Sequence, residues 1–327
     1  MKTNEVPRPI PVSRADRSEP DSAAIRAGRQ SLLRAVLRGI RPRQFTKNGV
    51  VFLAMVFTVG LAWQPSNPNS WLPLLGRSLL AFAAFSMVSA GEYLVNDAAN
   101  AVADRLHPRK RHRPAASQEL EAQSARLAAL PLFAAGLLMS LPLGPRFEIV
   151  LVLYGVISLA YTYALKHVVL IDVAAVASGF VLRAVGGAAA IGVPISPWLY
   201  VCTSLGALLL ALGKRRHELL ELGAMARFHR PVLGRYSLKS LDRLSLIVAV
   251  TTVAVYSAYT VSAARLPANH AMVATVPFVA LGVARYLYVS RRRHGGNPDE
   301  VLVRDPPLLT CILIWVATAG ALLAIFR

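Results

Sequence analysis

Asn96, Asp97, Asn100 and Asp104 are the residues of this chain whose types and spacing most directly suggest chemistry. They lie where a long apolar run, about Trp71 to Val95, meets the basic segment that runs from Arg105 to Pro114. If a helix continues through them, residues 96, 100 and 104 fall four apart, and 97, 100 and 104 fall three and four apart. All four polar side chains then share one face. Two carboxylates and two amides at a membrane boundary are costly unless a cation or a polar cavity receives them. Hard oxygen donors point to Mg²⁺, which keeps several waters and is commonly shared between protein carboxylates and substrate phosphates. A diphosphate-bearing substrate is the implied partner. A helix end whose Asp and Asn side chains merely face water is the competing explanation of the same spacing.

The basic segment carries Arg105, Arg109, Lys110, Arg111 and Arg113 directly after the acids. Guanidinium and ammonium groups suit phosphate oxygens, although such a run also signals a cytoplasmic loop. Pro108 and Pro114 limit how far a helix extends and favour a shaped loop. Lys47 and Asn48 occupy the same level after Arg41-Pro42-Arg43, as phosphate donors or as anchors of a helix end. Asp172 stands near the cytoplasmic end of another apolar run, and Arg183 follows three turns later, about 16 Å deeper on nearly the same face. An arginine near mid-membrane calls for an anion or an acid. Glu92, one turn deeper than Asn96, is the candidate acid, and both a Glu92–Arg183 pair and a ligand-facing Arg183 are open. Gly179, Gly186 and Gly187 allow either close helix packing or room for a ligand. Tyr161, Tyr163 and Lys166 border the same region, or form part of an interfacial aromatic belt. Lys214 and Arg215, in Gly213-Lys214-Arg215-Arg216-His217-Glu218, suit an anionic substrate at the cavity mouth. Topology would account for those charges but not for the long polar loop up to Asp242.

The elements that must position these groups follow from composition. The chain has 327 residues, 55% of them hydrophobic and 16% charged, too apolar for a soluble domain of this length. It is expected to be an all-α, polytopic membrane protein. The net charge of +19 does not imply nucleic acid, because Lys and Arg gather in alternate loops and in the N-terminal arm, as positive-inside topology requires. Cys202 and Cys311 each lie in an apolar run, which indicates packing and neither a disulfide framework nor a zinc site. Residues 1–30, rich in Pro, Arg, Ser and Asp, are expected to form a disordered basic cytoplasmic arm without a signal peptide. Residues 31–327 are expected to form the transmembrane domain. From Ser31 to Arg43, apolar residues at helical spacing among arginines suit a helix on an anionic membrane surface, or a plain extension of the first span. Apolar runs near 45–63, 71–95, 126–143, 147–165, 168–192, 197–213, 243–264, 271–290 and 306–326 predict nine spans. The charge bias puts the N-terminus in the cytoplasm, the C-terminus outside and the acidic stripe at the cytoplasmic face. Between the fourth and fifth runs only a tight hairpin around Lys166 and His167 is available.

Together, Arg41-Pro42 with Lys47-Asn48, the stretch Asn96 to Pro114, Tyr161 to Lys166 with Asp172 to Gly187, and Gly213 to Glu218 resemble the UbiA superfamily of intramembrane prenyltransferases. Within it, the resemblance is greater to the branch of decaprenyl-phosphate phosphoribosyltransferases, and it covers the chain from about Leu33. It implies a nine-helix bundle around a central cavity in the bacterial cytoplasmic membrane, with Mg²⁺ and a diphosphate held at the cytoplasmic side. It also implies phosphoribosyl pyrophosphate as donor, a polyprenyl phosphate lipid as acceptor, and a product that serves cell-wall biosynthesis. Two positions depart from the family pattern. The middle Asp of Asn-Asp-x-x-Asp-x-x-x-Asp is Asn100 here, a neutral ligand at best. The second Asp-x-x-x-Asp of the prenyltransferases is missing, because Asp172 is followed four residues later by Val176. One acidic cluster fits a phosphoribosyl donor better than a prenyl diphosphate. A prenyltransferase acting on an aromatic acceptor, and a catalytically weakened lipid-binding homologue, are the rival expectations.

Overall fold

The computed structural model describes residues 22–194, 196–226, 231–292, 301–302 and 304–327, with side chains described from residue 31 on except at 199 and 224. Among the described residues every extended regular element is helical. In chain order these are α1 (Ser22–Gly39), α2 (Leu53–Phe57), α3 (Pro68–Arg105), α4 (Ala122–Ser140), α5 (Pro145–Tyr163) and α6 (Ile171–Ala190). They are followed by α7 (Pro197–Leu222), α8 (Leu238–Ser262), α9 (Val276–Arg291) and α10 (Pro306–Phe326).

Local chemistry sets many of these boundaries. Asn67 caps α3 by accepting from the Asn69 amide at 3.1 Å, with Pro68 in the first turn. Ser237 and Ser240 form a reciprocal capping box at the start of α8. Asp305 caps α10 ahead of Pro306. Gly144, at φ 91°, reverses the chain between α4 and α5, a conformation side-chain-bearing residues disfavour. A 3-10 turn over Leu165–His167 makes the expected hairpin between α5 and α6.

Seven described helices are long and apolar enough to cross a bilayer: Pro68–Arg105, Ala122–Leu143, Pro145–Tyr163, Ile171–Ala190, Leu238–Ser262, Ala271–Arg291 and Pro306–Phe326. Their outer faces carry bare Leu, Ile and Val side chains, among them Ile149, Val156, Leu138 and Leu313, which only lipid can cover at this density. The remaining two of the nine expected runs take other forms. The run at 45–63 is an eleven-residue 3-10 helix, Pro42–Phe52, leading into the five-residue α2. The run at 197–213 is the first part of α7, whose second part carries Lys214 to Glu221. The expected arm boundary at residue 30 falls inside α1, and residues 1–21 lie outside the described residues.

The α3 helix organises the rest. Its 38 residues extend about 57 Å, well beyond a hydrocarbon core of about 30 Å, so the polar stripe continues as helix past the apolar segment. Phe85 of α3 meets Phe147 and Tyr154 of α5 edge-on, at 5.6 and 5.3 Å between ring centres. Around them Val51, Val88, Leu151 and Leu182 form the central core. Gly187 of α6 lies so close to the 3-10 helix that a Cβ there would stand 2.1 Å from the Val51 carbonyl oxygen.

Candidate active site

A polar cavity of about 620 Å³ opens between α3, α5, α6, α7 and the loop after α3. From α3 it is lined by Glu92, Asn96, Asn100 and Asp104, from the loop by Lys110 and Arg113, and from the turn before α6 by Lys166. The predicted stripe is thus a cavity wall, with one change of membership. Asp97 lies beside the lining, Glu92 within it, because strict four-residue spacing selects 92, 96, 100 and 104.

The two carboxylates are buried and held together by arginines. Arg113 Nη1 donates to Asp104 Oδ2 at 2.7 Å and to Asp97 Oδ1 at 3.1 Å, bridging both. Arg41 Nη2 donates to both oxygens of Asp97 from 56 residues away, and its guanidinium lies over the Tyr93 ring at 5.3 Å. Arg41 adopts φ 51°, a left-handed backbone uncommon for a residue with a side chain; the turn before Pro42 aims it inward. The amides form a second group. Asn100 Nδ2 donates to the Asn96 carbonyl at 2.6 Å and to Asn96 Oδ1 at 3.0 Å. Lys166 Nζ donates to Asn100 Oδ1 at 2.6 Å, and Thr162 Oγ1 to Asn96 Oδ1 at 3.3 Å.

Burial holds the pKa values of Lys110 and Lys166 below the ordinary lysine value, and that of Arg113 below the ordinary arginine value, with Arg41 adding to the last. Cations packed this closely gain from an anion placed among them. Lys214 and Lys47 also line the cavity.

Deeper in, Arg183 ties four elements together. Its Nε donates to Asn48 Oδ1 at 2.6 Å, Nη1 to the Gly179 carbonyl at 2.7 Å, and Nη2 to Tyr154 Oη at 2.7 Å and Ser89 Oγ at 3.5 Å. The guanidinium lies 4.6 Å from the Tyr154 ring centre. Arg183 lines the cavity, but Asn48 is buried away from it and orients Arg183 instead of meeting a ligand.

Three other predicted positions also lie elsewhere. Arg105 is exposed and off the cavity, because α3 turns it outward. Arg215 is fully buried; its Nη1 donates to Glu218 at 2.7 Å, its Nη2 to Tyr161 Oη at 3.1 Å, and its Nε lies 3.4 Å from Asp172. It is a structural cation, and the neighbouring Lys214 takes the cavity position. Asp172, also buried off the cavity, accepts from Tyr236 Oη at 2.7 Å. Tyr161 does line the cavity.

Sequence reasoning gives no site role to Arg41, Thr162 or His107. The His107 Nδ1 accepts from the Arg109 amide at 3.2 Å, and Arg109 pairs with Glu221 of α7 at 2.9 Å, so the basic loop is anchored across the cavity mouth. The Arg41-Pro42 dipeptide is a signal for the first of these; the others depend on helix pairing.

A second, apolar cavity of about 710 Å³ lies between α2, α6, α7, α8, α9 and α10, with Trp198, Tyr256, Tyr259 and Trp315 in its wall. Phe180 lines both cavities and so stands between them.

Among the described residues no group of three His, Cys, Asp or Glu side chains is placed to hold a metal unaided. The Asp97–Asp104 pair, already bridged by one cationic nitrogen and flanked by two amides, still fits a divalent cation that takes its other ligands from water and phosphate. Asp97 and Asp104 would hold it, with Asn96 and Asn100 alongside.

A helical bundle with an apolar outer surface and an internal polar cavity defines an integral membrane protein, and comparison with known proteins makes the class specific. The chain belongs to the UbiA prenyltransferase family, whose model matches residues 53–304. It is 30% identical over 294 residues to a decaprenyl-phosphate phosphoribosyltransferase of Mycobacterium tuberculosis, covering 90% of this chain and 96% of that protein. It is 31% identical over 301 residues to the protein of the same name in Mycolicibacterium smegmatis, covering 89% and 93%. The fold matches a UbiA homolog from Archaeoglobus fulgidus, solved bound to GPP and Mg²⁺, with a TM-score of 0.67, 18% identity, and coverage of 89% of this chain and 100% of that one.

Proposed function

We propose that the protein transfers 5-phosphoribosyl from phosphoribosyl pyrophosphate to a polyprenyl phosphate and releases pyrophosphate. The observation that carries this is likeness along nearly the whole chain to enzymes named for that transfer, joined to a cavity with one acidic pair. Val176, where a second acidic pair would be completed, is instead an apolar residue of the cavity wall. The site faces the cytoplasm of a bacterial cell membrane, the chain crosses nine times with its N-terminus inside and C-terminus outside, and residues 31–327 form the catalytic domain.

Mg²⁺ held at Asp97 and Asp104 would neutralise charge on the pyrophosphate leaving group. Lys110, Arg113, Lys166 and Lys214 receive the phosphate oxygens, Lys47 adding a further ammonium at the same level. As diphosphate enters, Arg113 and Lys166 exchange their Asp and Asn partners for phosphate. The ribose C1–O bond to pyrophosphate then breaks through an oxocarbenium-like state, and an oxygen of the lipid phosphate bonds to C1. That oxygen is already anionic, so no general base is required; the cations position rather than transfer protons. The apolar cavity beside Phe180 takes the first isoprene units of the acceptor.

The test is transfer of radiolabelled phosphoribosyl to lipid in membranes containing the protein, with Asp97→Ala and Asp104→Ala alongside. Loss of lipid labelling in both variants is expected; unchanged labelling would refute the assignment. A second reading, isoprenyl transfer from a diphosphate donor, draws on the GPP-bound neighbour. Prenylated product from geranyl diphosphate and an aromatic acceptor, with no phosphoribosyl lipid, would establish it. Asn100 motivates a third, a polyprenyl-lipid binder without turnover, for which neither donor would be consumed.

A further inference from the structure

Glu92 is the one carboxylate of the α3 cavity wall that phosphoribosyl transfer, as derived from the acidic pair and the cations, leaves unused. It faces the cavity at the same four-residue spacing as Asn96, Asn100 and Asp104. From the rise of a helix it lies about 6 Å deeper than Asn96 and about 18 Å from Asp104, too far to share a cation with the acidic pair. Its exposure is 7%, and its Oε1 is buried without a hydrogen-bond partner. Arg183 stands nearby, and the Tyr154 and Ser158 hydroxyls are the hydrogen-bonding groups beside the carboxyl, which leaves Oε1 as its unmatched atom. The Glu92–Arg183 ion pair, one of the two arrangements left open by the sequence, is not formed, because the guanidinium is committed to Asn48, the Gly179 carbonyl, Tyr154 and Ser89. A buried carboxylate oxygen without a donor is costly, so this atom marks where a ligand's donor belongs.

A second metal does not suit the position, which has one acid and a fixed arginine beside it. A neutral hydroxyl does: it donates to Oε1 and adds no charge. On the reading above, a diphosphate held at the level of Asn100 to Asp104 would direct the group bonded to it toward Asn96 and Glu92, which line the same cavity deeper in. We propose that Glu92 accepts a hydrogen bond from a ring hydroxyl of the donor's ribosyl group, and thereby selects a sugar donor over an isoprenyl one. This rests on the phosphoribosyl reading of the site. An isoprenyl chain offers no donor and would leave Glu92 Oε1 buried and unmatched, which is the form of selection that rejects analogues lacking a hydroxyl most strongly.

The experiment uses full-length protein in lipid nanodiscs with Mg²⁺ and measures binding of phosphoribosyl pyrophosphate, its 2-deoxy and 3-deoxy analogues, and inorganic pyrophosphate. In the wild type, at least one deoxy analogue should bind about tenfold or more weakly than the parent donor. Glu92→Gln should weaken the parent donor by a similar factor, leave pyrophosphate binding unchanged, and no longer discriminate against that analogue. Glu92→Asp, which retracts the carboxyl by one methylene, should give the same pattern and serves if the Gln variant does not fold. Equal binding of both deoxy analogues by the wild type, or full discrimination in a folded Glu92 variant, would overturn the proposal. Wild-type protein that binds the parent donor no better than pyrophosphate and transfers no label would instead overturn the phosphoribosyl reading beneath it.

Discussion

Replacing Gly187 by alanine should damage both stability and turnover through one contact. The added Cβ would lie 2.1 Å from the Val51 oxygen, 2.8 Å from its carbonyl carbon and 3.0 Å from its Cα. Reaching an ordinary C···O separation of about 3.3 Å requires α6 and the Pro42–Phe52 helix to part by about 1 Å. The obstacle is backbone, so no rotamer change relieves it. Overpacking of this kind costs about 1–3 kcal/mol, and here the upper end is expected, offset by about 0.5–1 kcal/mol for replacing glycine within a helix. The net loss is then about 2 kcal/mol. Val51 lies one turn from Asn48, whose Oδ1 accepts from Arg183 at 2.6 Å, and from Lys47 at the cavity. A 1 Å displacement there should lower phosphoribosyl transfer by about a hundredfold. The assay is thermal unfolding of purified protein alongside lipid labelling, with Gly76→Ala as control. Gly76 also lies within a helix, and a Cβ there meets nothing within 4 Å, so that variant should gain about 0.5 kcal/mol. Equal stability of the two variants, with equal turnover, would refute the close approach of α6 to the 3-10 helix.

Asn100→Asp should lower the Mg²⁺ concentration for half-maximal transfer by about tenfold by adding a charged ligand, read from Mg²⁺ titrations of initial rate. An unchanged requirement would remove residue 100 from the metal site. Arg215→Met should destabilise by about 3–5 kcal/mol, because Asp172 and Glu218 lose a buried partner, whereas Lys214→Met should raise the donor KM with little change in unfolding temperature. Asp305→Ala should cost about 1 kcal/mol through loss of the α10 cap. The hydrogen bond from Arg285 holds the Asp305 carboxyl below its ordinary value. The stability it contributes is therefore fully present above the range in which a free aspartate titrates, and is lost as pH falls below about 4. Unfolding midpoints measured between pH 3 and 7 should show a shallower acid limb in the variant.

The acidic stripe is legible in the sequence because helical periodicity is a local property. Asn96, Asn100 and Asp104 must share a face once α3 continues past Val95, and the apolar runs with alternating basic loops require a helical membrane protein. The hairpin at Lys166 follows from the shortness of the connection. What distant segments do to that stripe is not legible there. Arg41 reaching Asp97, Arg183 turning to Asn48 across 135 residues, and Arg215 withdrawing to Asp172 while Lys214 faces the cavity all depend on which helix faces pack together. Spacing does not separate Asp97 from Glu92 either, since both lie within about one turn of Asn96. Local sequence determined the helices and their polar faces, through backbone periodicity and the cost of polar groups in lipid. Tertiary packing decided which of those polar groups pair with each other and which, like Glu92 Oε1, are left to meet a ligand.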